Sequence, residues 1–168
     1  MTGNAMHIYT LRCELLTPCP LQETFAVFED PYNLSKITPA WLSFNVTSKS
    51  RVEMRKGAEI TYRIKWLGVP IHWKTIIREY EPPFLFVDEQ AEGPYALWRH
   101  RHTFSPTPEG TRVADQVEYA LPVGPLGRLA HGLIVRKQLK AIFRYRQQEL
   151  GKILGGETIE TMEPSITG

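Results

Sequence analysis

Two of the five histidines in this 168-residue chain lie two positions apart, in the stretch WRHRHTF over residues 98–104. Imidazoles at this spacing can bind a metal ion, transfer protons or form hydrogen bonds in a polar part of a cavity. If the stretch is a β-strand, His100 and His102 share one face with Trp98 and Phe104. Arg99 and Arg101 lie on the other face. Because burying two unpaired arginines would cost more free energy than burying two neutral imidazoles, we expect both histidines to point inward.

The same alternation predicts an unusually polar inward face on the neighbouring strands. Polar groups buried in a core need hydrogen-bond partners, water or a ligand, so these positions are candidates for a functional site. Together with the two histidines, the polar residues expected on that face are Asp88, Gln90, Asp115 and Tyr119.

Four interpretations of this polar cluster are open. The histidines could bind a metal ion with Asp88 or Asp115, although no third histidine lies nearby in the sequence. A histidine oriented by either carboxylate could act as a general base, with Tyr119 polarising a carbonyl group. The groups could form a buried network that only rigidifies the sheet, or they could bind the polar end of an apolar molecule. We favour the last interpretation and expect neither a metal ion nor another cofactor.

The elements that must position these residues follow from hydrophobic periodicity. Period-two patterns predict seven strands, over 8–16, 44–49, 59–66, 71–80, 84–90, 95–104 and 111–121. Most are joined by short turns, which indicates a largely antiparallel sheet. Two short helices are predicted after the first strand, over 21–29 and 33–37. This order is typical of an α+β fold.

A long amphipathic helix is predicted over 128–154, after a connection rich in proline and glycine. A bent sheet wrapped around one long helix commonly leaves a cavity between them. We expect a single domain over 7–154 and a disordered tail over 155–168. The residues that form the apolar stripe of the helix are Leu129, Leu133, Leu139, Ile142, Phe143, Leu150 and Ile153.

Composition limits the partners. The net charge is only +2, so the basic stripe of Arg136, Lys140 and Arg144 is interpreted as a solvated face, and contact with nucleic acid or with an anionic membrane is not expected. We find no signal-peptide pattern and no apolar run of the length that spans a membrane. Cys13 and Cys19 lack the spacing of metal ligands and indicate reduced thiols, so a cytoplasmic protein is predicted.

Several short motifs occur in a specific order. They are LQETFAVFEDPYNL over 21–34, ITP over 37–39, EPPF over 81–84, FVDEQ over 86–90, the pair Gly93-Pro94, WxHxHxF over 98–104, GTRV over 110–113, DxVEY over 115–119 and Pro122. This combination resembles the START-like superfamily, also called SRPBCC or helix-grip proteins. It is most similar to a bacterial ligand-binding subgroup that is often labelled cyclase/dehydrase.

The resemblance implies a helix-grip fold, with a seven-stranded curved antiparallel sheet around the C-terminal helix. It implies that a small hydrophobic molecule (a lipid, a sterol-like or a polyketide-like compound) binds between sheet and helix. The alternatives are an aromatase/cyclase-like enzyme that uses His100, His102, Asp115 and Tyr119, and a protein-interaction module without ligand. Trp41 lies in the loop that covers the pocket entrance in this fold, or is a surface anchor. The aromatic residues expected to line the cavity are Tyr62, Trp66, Trp73, Phe86 and Trp98.

Overall fold

The described residues, 6–48, 52–155 and 160–168, form one eight-stranded antiparallel sheet and a long helical segment in the computed structural model. The strand order across the sheet is β2-β3-β4-β5-β6-β7-β1-β8. Consecutive strands from β2 to β7 are therefore neighbours, as their short turns predict. The strands are β1 Tyr9–Thr17, β2 Asn45–Val46, β3 Glu59–Trp66, β4 Val69–Glu81, β5 Leu85–Glu92, β6 Leu97–Thr107, β7 Gly110–Ala120 and β8 Glu160–Thr167.

A short helix, α1 (Leu21–Glu29), follows β1 and closes one end of the sheet. It buries Leu21, Phe25 and Phe28, which recur at helical spacing, against Phe86 and Phe104 of the sheet. The helix ends at Asp30, whose side chain accepts a hydrogen bond from the backbone of the next turn. Two 3-10 turns continue the connection over Pro31–Ser35 and Ala40–Leu42.

The C-terminal helical segment differs from the predicted single helix. It consists of α2 (Gly124–Ala130), a π-helical turn (His131–Val135) and α3 (Arg136–Ile153). A π-helical turn contains more residues than an α-helical turn, so it rotates everything before it relative to α3. Leu139, Phe143 and Leu150 of α3 are buried as predicted.

Three members of the predicted apolar stripe are instead exposed. Leu129 and Leu133 lie on the solvent side, and Ile153 in the last helical turn is also exposed. The prediction was wrong for Leu129 and Leu133 because it extended an α-helical period across the π turn. The sheet is covered before α3 by Val135, and α2 contributes its buried Gly127 rather than its leucines.

The predicted disordered tail is a second correction. Glu160–Thr167 forms β8 and pairs with β1, from Leu16 opposite Glu160 to Thr10 opposite Thr167. The segment shows no apolar alternation and contains Pro164, which an edge strand tolerates because one side of it needs no ladder partner. Residues 156–159 of that tail lie outside the described residues. The second predicted strand is also shorter, since β2 is Asn45–Val46, and Lys49 is not described.

Gln147 joins α3 to the two strands at this edge. Its side-chain amide donates to the backbone oxygen of Glu14 on β1, at 2.8 Å, and to that of Met162 on β8, at 2.9 Å. The two carbonyls lie at the point where the register between β1 and β8 shifts by one residue. One buried side chain thus supplies both carbonyl groups with a partner where the ladder is interrupted.

Replacing Gln147 by leucine should leave these two carbonyls without partners and lower the free energy of unfolding by about 1–3 kcal/mol. Urea denaturation measures this change. The matched control is Gln148→Leu, because Gln148 is the exposed neighbour in the same helix and should change stability by less than about 0.5 kcal/mol. Equal effects at both positions would contradict the bridging role.

Candidate functional site

A cavity of about 430 Å³ lies between the sheet and the C-terminal helical segment. Its size falls within the range of small-molecule sites. All five aromatic residues that the sequence predicted as lining contribute to its wall, which is mostly apolar: Tyr62, Trp66, Trp73, Phe86 and Trp98.

Trp73 organises the aromatic wall. Its ring stacks on that of Tyr62 at 5.8 Å between centroids and meets that of Trp98 edge-on at 5.5 Å. The hydroxyl of Thr75 lies 3.2 Å from both the Trp73 indole nitrogen and the Tyr62 hydroxyl. Burial raises the pKa of Tyr62 far above its usual range, so its hydroxyl stays protonated. The polar atoms of this wall therefore satisfy one another, and the ring faces remain available to an apolar ligand.

The polar end of the cavity is built by three neighbouring strands. Asp88 on β5 lies directly opposite His100 on β6, and Asp115 on β7 lies directly opposite His102. His102 Nε2 lies 3.1 Å from Asp88 Oδ2, and His100 Nε2 lies 3.2 Å from Asp115 Oδ1. Both histidines are buried, as strand alternation predicts. We call Asp88, His100, His102 and Asp115 the His–Asp cluster.

Asp115 holds both imidazoles. Its Oδ1 is also 2.7 Å from His102 Nδ1. This contact is an ion pair rather than an aligned hydrogen bond, since Nδ1 has no partner along its own N–H direction. The two imidazole rings lie 3.7 Å apart between centroids, and Phe86 stacks on His102 at 4.2 Å. The cluster is thereby fixed at the cavity wall by packing as well as by charge.

The two histidines differ in the direction in which their pKa values are shifted. Burial lowers the pKa of His100 to about 4, assisted by the charge of His102 and opposed by Asp115, so His100 is neutral at pH 7. Burial alone would lower the pKa of His102 too, but the Asp115 and Asp88 carboxylates outweigh it and raise that pKa. Burial likewise favours the neutral forms of the two aspartates, yet the imidazoles hold the pKa of each below its usual range. The site therefore pairs a neutral, weakly basic imidazole, that of His100, with a more basic one, that of His102.

Arg146 of α3 faces the same cavity. Its Nε is buried without a hydrogen-bond partner among the described residues, and its guanidinium lies 5.9 Å from the centre of the Phe143 ring. Its positive charge lowers the pKa of Asp88, after the effects of the two histidines. It thereby offsets part of the negative charge of the buried carboxylates, and its guanidinium can donate hydrogen bonds to a ligand.

Asp88, His100 and His102 are also the residues that could hold a metal ion, because one ligand atom of each lies within 4.8 Å of the others. Two imidazoles and a carboxylate suit a divalent transition metal such as zinc. The expectation that no metal is bound stays a prediction.

Two polar candidates on the inward faces of the strands do not line the cavity themselves. Asp115 contacts the two histidines that do, so it acts on the site through them. Tyr119 is buried, and its hydroxyl lies 2.8 Å from His131 Nε2 of the π turn. A direct contact of either residue with a ligand is therefore not supported by the geometry of the cavity wall.

Two further candidates also lie outside the wall. Gln90 is bound to the turn after β5, where its amide donates to the backbone oxygen of Tyr95 and accepts from the Tyr95 backbone nitrogen. Trp41 is exposed in the 3-10 turn Ala40–Leu42. The residue after it, Leu42, lines the cavity.

Sequence reasoning missed the contribution of the C-terminal segment to the polar side of the cavity. Arg146 follows Leu139 and Phe143 at helical spacing, so its position on the inward face was readable from the period of α3. Gln138, whose side-chain oxygen accepts a hydrogen bond from the Trp66 indole, was readable only from the fold.

Tyr95 is another lining residue that the sequence did not indicate. Its ring packs edge-on against that of Trp73. Alternation along the predicted strand over 95–104 places Tyr95 on the outward face with Arg99 and Arg101, whereas in the structure it lies in the connection before β6.

A family model described as polyketide cyclase / dehydrase and lipid transport matches residues 17–143. The chain belongs to this family. No curated protein matches the sequence. Proteins of this family share a hydrophobic ligand-binding fold, which agrees with the apolar cavity and with the START-like, helix-grip resemblance of the sequence motifs.

Solved structures with this fold share little sequence with the chain. TTHA0849 from Thermus thermophilus is 17% identical, with a TM-score of 0.65 over 84% of this chain and 96% of its own. SA2116 from Staphylococcus aureus, a protein of unknown function, is 7% identical, with a TM-score of 0.69 over 92% and 98%. Ara h 8.0201 is 12% identical, with a TM-score of 0.57 over 86% and 98%. At these identities the likeness concerns the fold alone.

No helix among the described residues is long and apolar enough to cross a membrane.

The neutral state of His100 predicts a loss of stability in mild acid. Its pKa is about 4 in the folded protein and 6.5 in the unfolded chain, so the unfolded chain binds the proton first as the pH falls. The free energy of unfolding should drop between pH 6.5 and pH 4, by up to about 3 kcal/mol. His102 adds no slope in this window, because a raised pKa gives a contribution that is complete below pH 6.5.

Thermal and urea unfolding across this range test the assignment. His100→Gln should flatten the pH dependence between pH 6.5 and pH 4. The control His72→Gln, at an exposed histidine, should retain the slope of the wild type. A slope that is unchanged in His100→Gln would show that another group is responsible.

Proposed function

We propose that this protein binds a small hydrophobic molecule in the cavity and orients it with the polar groups at one end. The observation that carries the proposal is the division of the cavity into a large apolar wall and a single His–Asp cluster with Arg146 beside it. Such a site suits a lipid, a sterol-like or a polyketide-like molecule with a hydrogen-bonding group at one end. The family supports hydrophobic ligand binding but does not identify the ligand.

The two parts of the cavity contribute differently to binding. Transfer of apolar ligand surface from water to the aromatic wall supplies affinity, at about 25 cal/mol for each Å² buried. The polar end supplies orientation, because the ring N–H of His102 and the guanidinium of Arg146 offer donors while Asp88 offers an acceptor. A ligand that left these groups unpaired would bind less tightly, so the proposed ligand has a carbonyl, hydroxyl or similar group facing them.

Binding can be tested with the fluorescent apolar probe anilinonaphthalene sulfonate. Ile64 lines the cavity from β3, and its replacement by tryptophan should occupy part of that volume and weaken probe binding by roughly tenfold or more. Lys65→Trp is the matched control, since Lys65 is the exposed neighbour on the opposite face of the same strand and should leave affinity unchanged.

Probe titrations should be paired with melting temperatures of both variants to confirm that each remains folded. Equal probe affinity in wild type, Ile64→Trp and Lys65→Trp would place the probe outside the cavity. If in addition lipids, sterols and polyketides leave the melting temperature of the wild type unchanged, the binding proposal fails.

Proton transfer is a second candidate function, favoured by the opposite pKa shifts of the two histidines. Neutral His100 can accept a proton, and His102, whose pKa the two carboxylates raise, can donate one when it is protonated. A ketone bound against the cavity side of the two packed rings would be enolised by removal of an α-proton and protonation of its oxygen, as an aromatase/cyclase-type reaction requires. Asp115 would position both imidazoles.

Exchange of α-protons in a β-diketone probe dissolved in deuterium oxide distinguishes this reaction from binding alone. If the cluster transfers protons, wild type should accelerate the exchange, and His100→Gln should lower the rate by about 10²–10⁴-fold while probe binding is retained. Proton nuclear magnetic resonance follows the exchange. No acceleration by the wild-type protein, or an equal rate in His100→Gln, would exclude the histidine mechanism for this probe.

A further inference from the structure

The leucines that the sequence assigned to the core form an exposed surface on the C-terminal segment. Leu126, Leu129 and Leu133 retain 70%, 61% and 63% of their accessible surface. Their spacing of three and four residues places them on one side of α2 and the π turn, and we call these three residues the leucine face. Val123, at 71% exposure, begins the same segment. An apolar surface of this kind on a folded protein indicates an interaction site.

The fold keeps this surface outward. Gly127, on the opposite side of α2, is buried and packs so closely that a Cβ atom there would lie 2.3 Å from the backbone oxygen of Pro122. The buried side of the π turn consists of His131 and Val135. Turning the leucines inward would displace this close contact and the hydrogen bond between His131 and Tyr119.

Positive charge flanks the leucine face. Between residues 121 and 148 the chain has six arginine and lysine residues and no acidic residue. Arg144 pairs with Glu163, and Arg136 donates to the backbone oxygen of Ile166. By contrast, no ion pair among the described residues involves Arg128, Lys137 or Lys140. Apolar side chains beside unpaired cations complement the acyl chains and headgroups of an anionic membrane surface.

The leucine face lies on the outer side of a cavity wall. Gly127 and Ala130 of α2 line the cavity from the inside. The turn between β3 and β4 is held near by the hydrogen bond from Trp66 to Gln138, and it exposes two further apolar residues, Leu67 and Val69. A membrane bound here would lie next to the helical segment that separates the cavity from the outside.

We propose that the leucine face and its flanking cations dock this protein peripherally on an anionic lipid surface. Docking would insert Leu126, Leu129 and Leu133 into the headgroup region while Arg128, Lys137 and Lys140 contact the phosphates. Passage of a ligand between that surface and the cavity rests on the proposed function, but the docking does not.

Co-sedimentation with vesicles tests the docking without any added ligand. Wild type should bind vesicles containing roughly one third phosphatidylglycerol at least tenfold more tightly than vesicles of phosphatidylcholine alone, and added salt should weaken the binding. Leu129→Glu/Leu133→Glu should reduce this binding at least tenfold. Because both leucines are exposed, the variant should retain the wild-type melting temperature and probe affinity.

Two further variants keep the result interpretable. Phe84→Glu changes another exposed apolar residue, in the turn before β5 and at the other end of β4 from Val69, and should bind vesicles like wild type. Arg128→Glu/Lys137→Glu leaves the leucines in place and should reduce binding to the anionic vesicles. The proposal is overturned if wild type does not bind anionic vesicles, or if the leucine variant binds as wild type does. If wild type binds no vesicles and forms a dimer that the leucine variant dissociates, a second copy of the chain rather than a membrane covers the leucine face, and the proposal is overturned.

Discussion

Two carboxylates, Asp88 and Asp115, are buried beside two imidazoles on the inner face of the sheet, and the site depends on how their charges are balanced. An ionised carboxylate taken from water without a partner would cost several kcal/mol, which is comparable with the whole free energy of unfolding of a domain. The pairing of β5, β6 and β7 in their observed register brings each carboxylate opposite a histidine. A slip of one residue would turn all four side chains to the other face, so the cluster and the register require one another.

The cavity exists because the sheet and the helical segment meet closely at some positions and not at others. At one end α1 fills the space with Phe25 and Phe28, and along the edge Gln147 joins α3 to β1 and β8. Between these contacts the wall is made of large flat rings, of which Tyr62 and Trp73 have their polar atoms within hydrogen-bond distance of Thr75. Rings fixed in this way hold a space open, which explains how a well-ordered fold retains a cavity of about 430 Å³.

Much of the fold and half of the site were predictable from the sequence. Period-two alternation placed β3 to β7 within a few residues and predicted that His100 and His102 point inward. The π turn was not predictable, because no sequence pattern identifies an extra residue in a helical turn. This turn is the reason that Leu129 and Leu133 are exposed rather than buried. β8 was not predicted, because its residues show no apolar alternation. It forms a strand by pairing with β1 at the edge of the sheet. Gln90 lies at an inward position of the alternating pattern, but its side chain bonds to the backbone of Tyr95 in the turn after β5. Hydrophobic periodicity does not predict such a local contact.

If the cavity binds a small hydrophobic molecule, native mass spectrometry of the purified protein should detect the complex. We expect a bound species of small mass after incubation with mixed lipids, sterols or aromatic polyketides, which denaturing conditions release as a free compound. We also expect this complex to persist in Phe84→Glu, where the change lies at an exposed turn. Detection of the bare protein alone, after purification and after each incubation, would contradict the proposed binding.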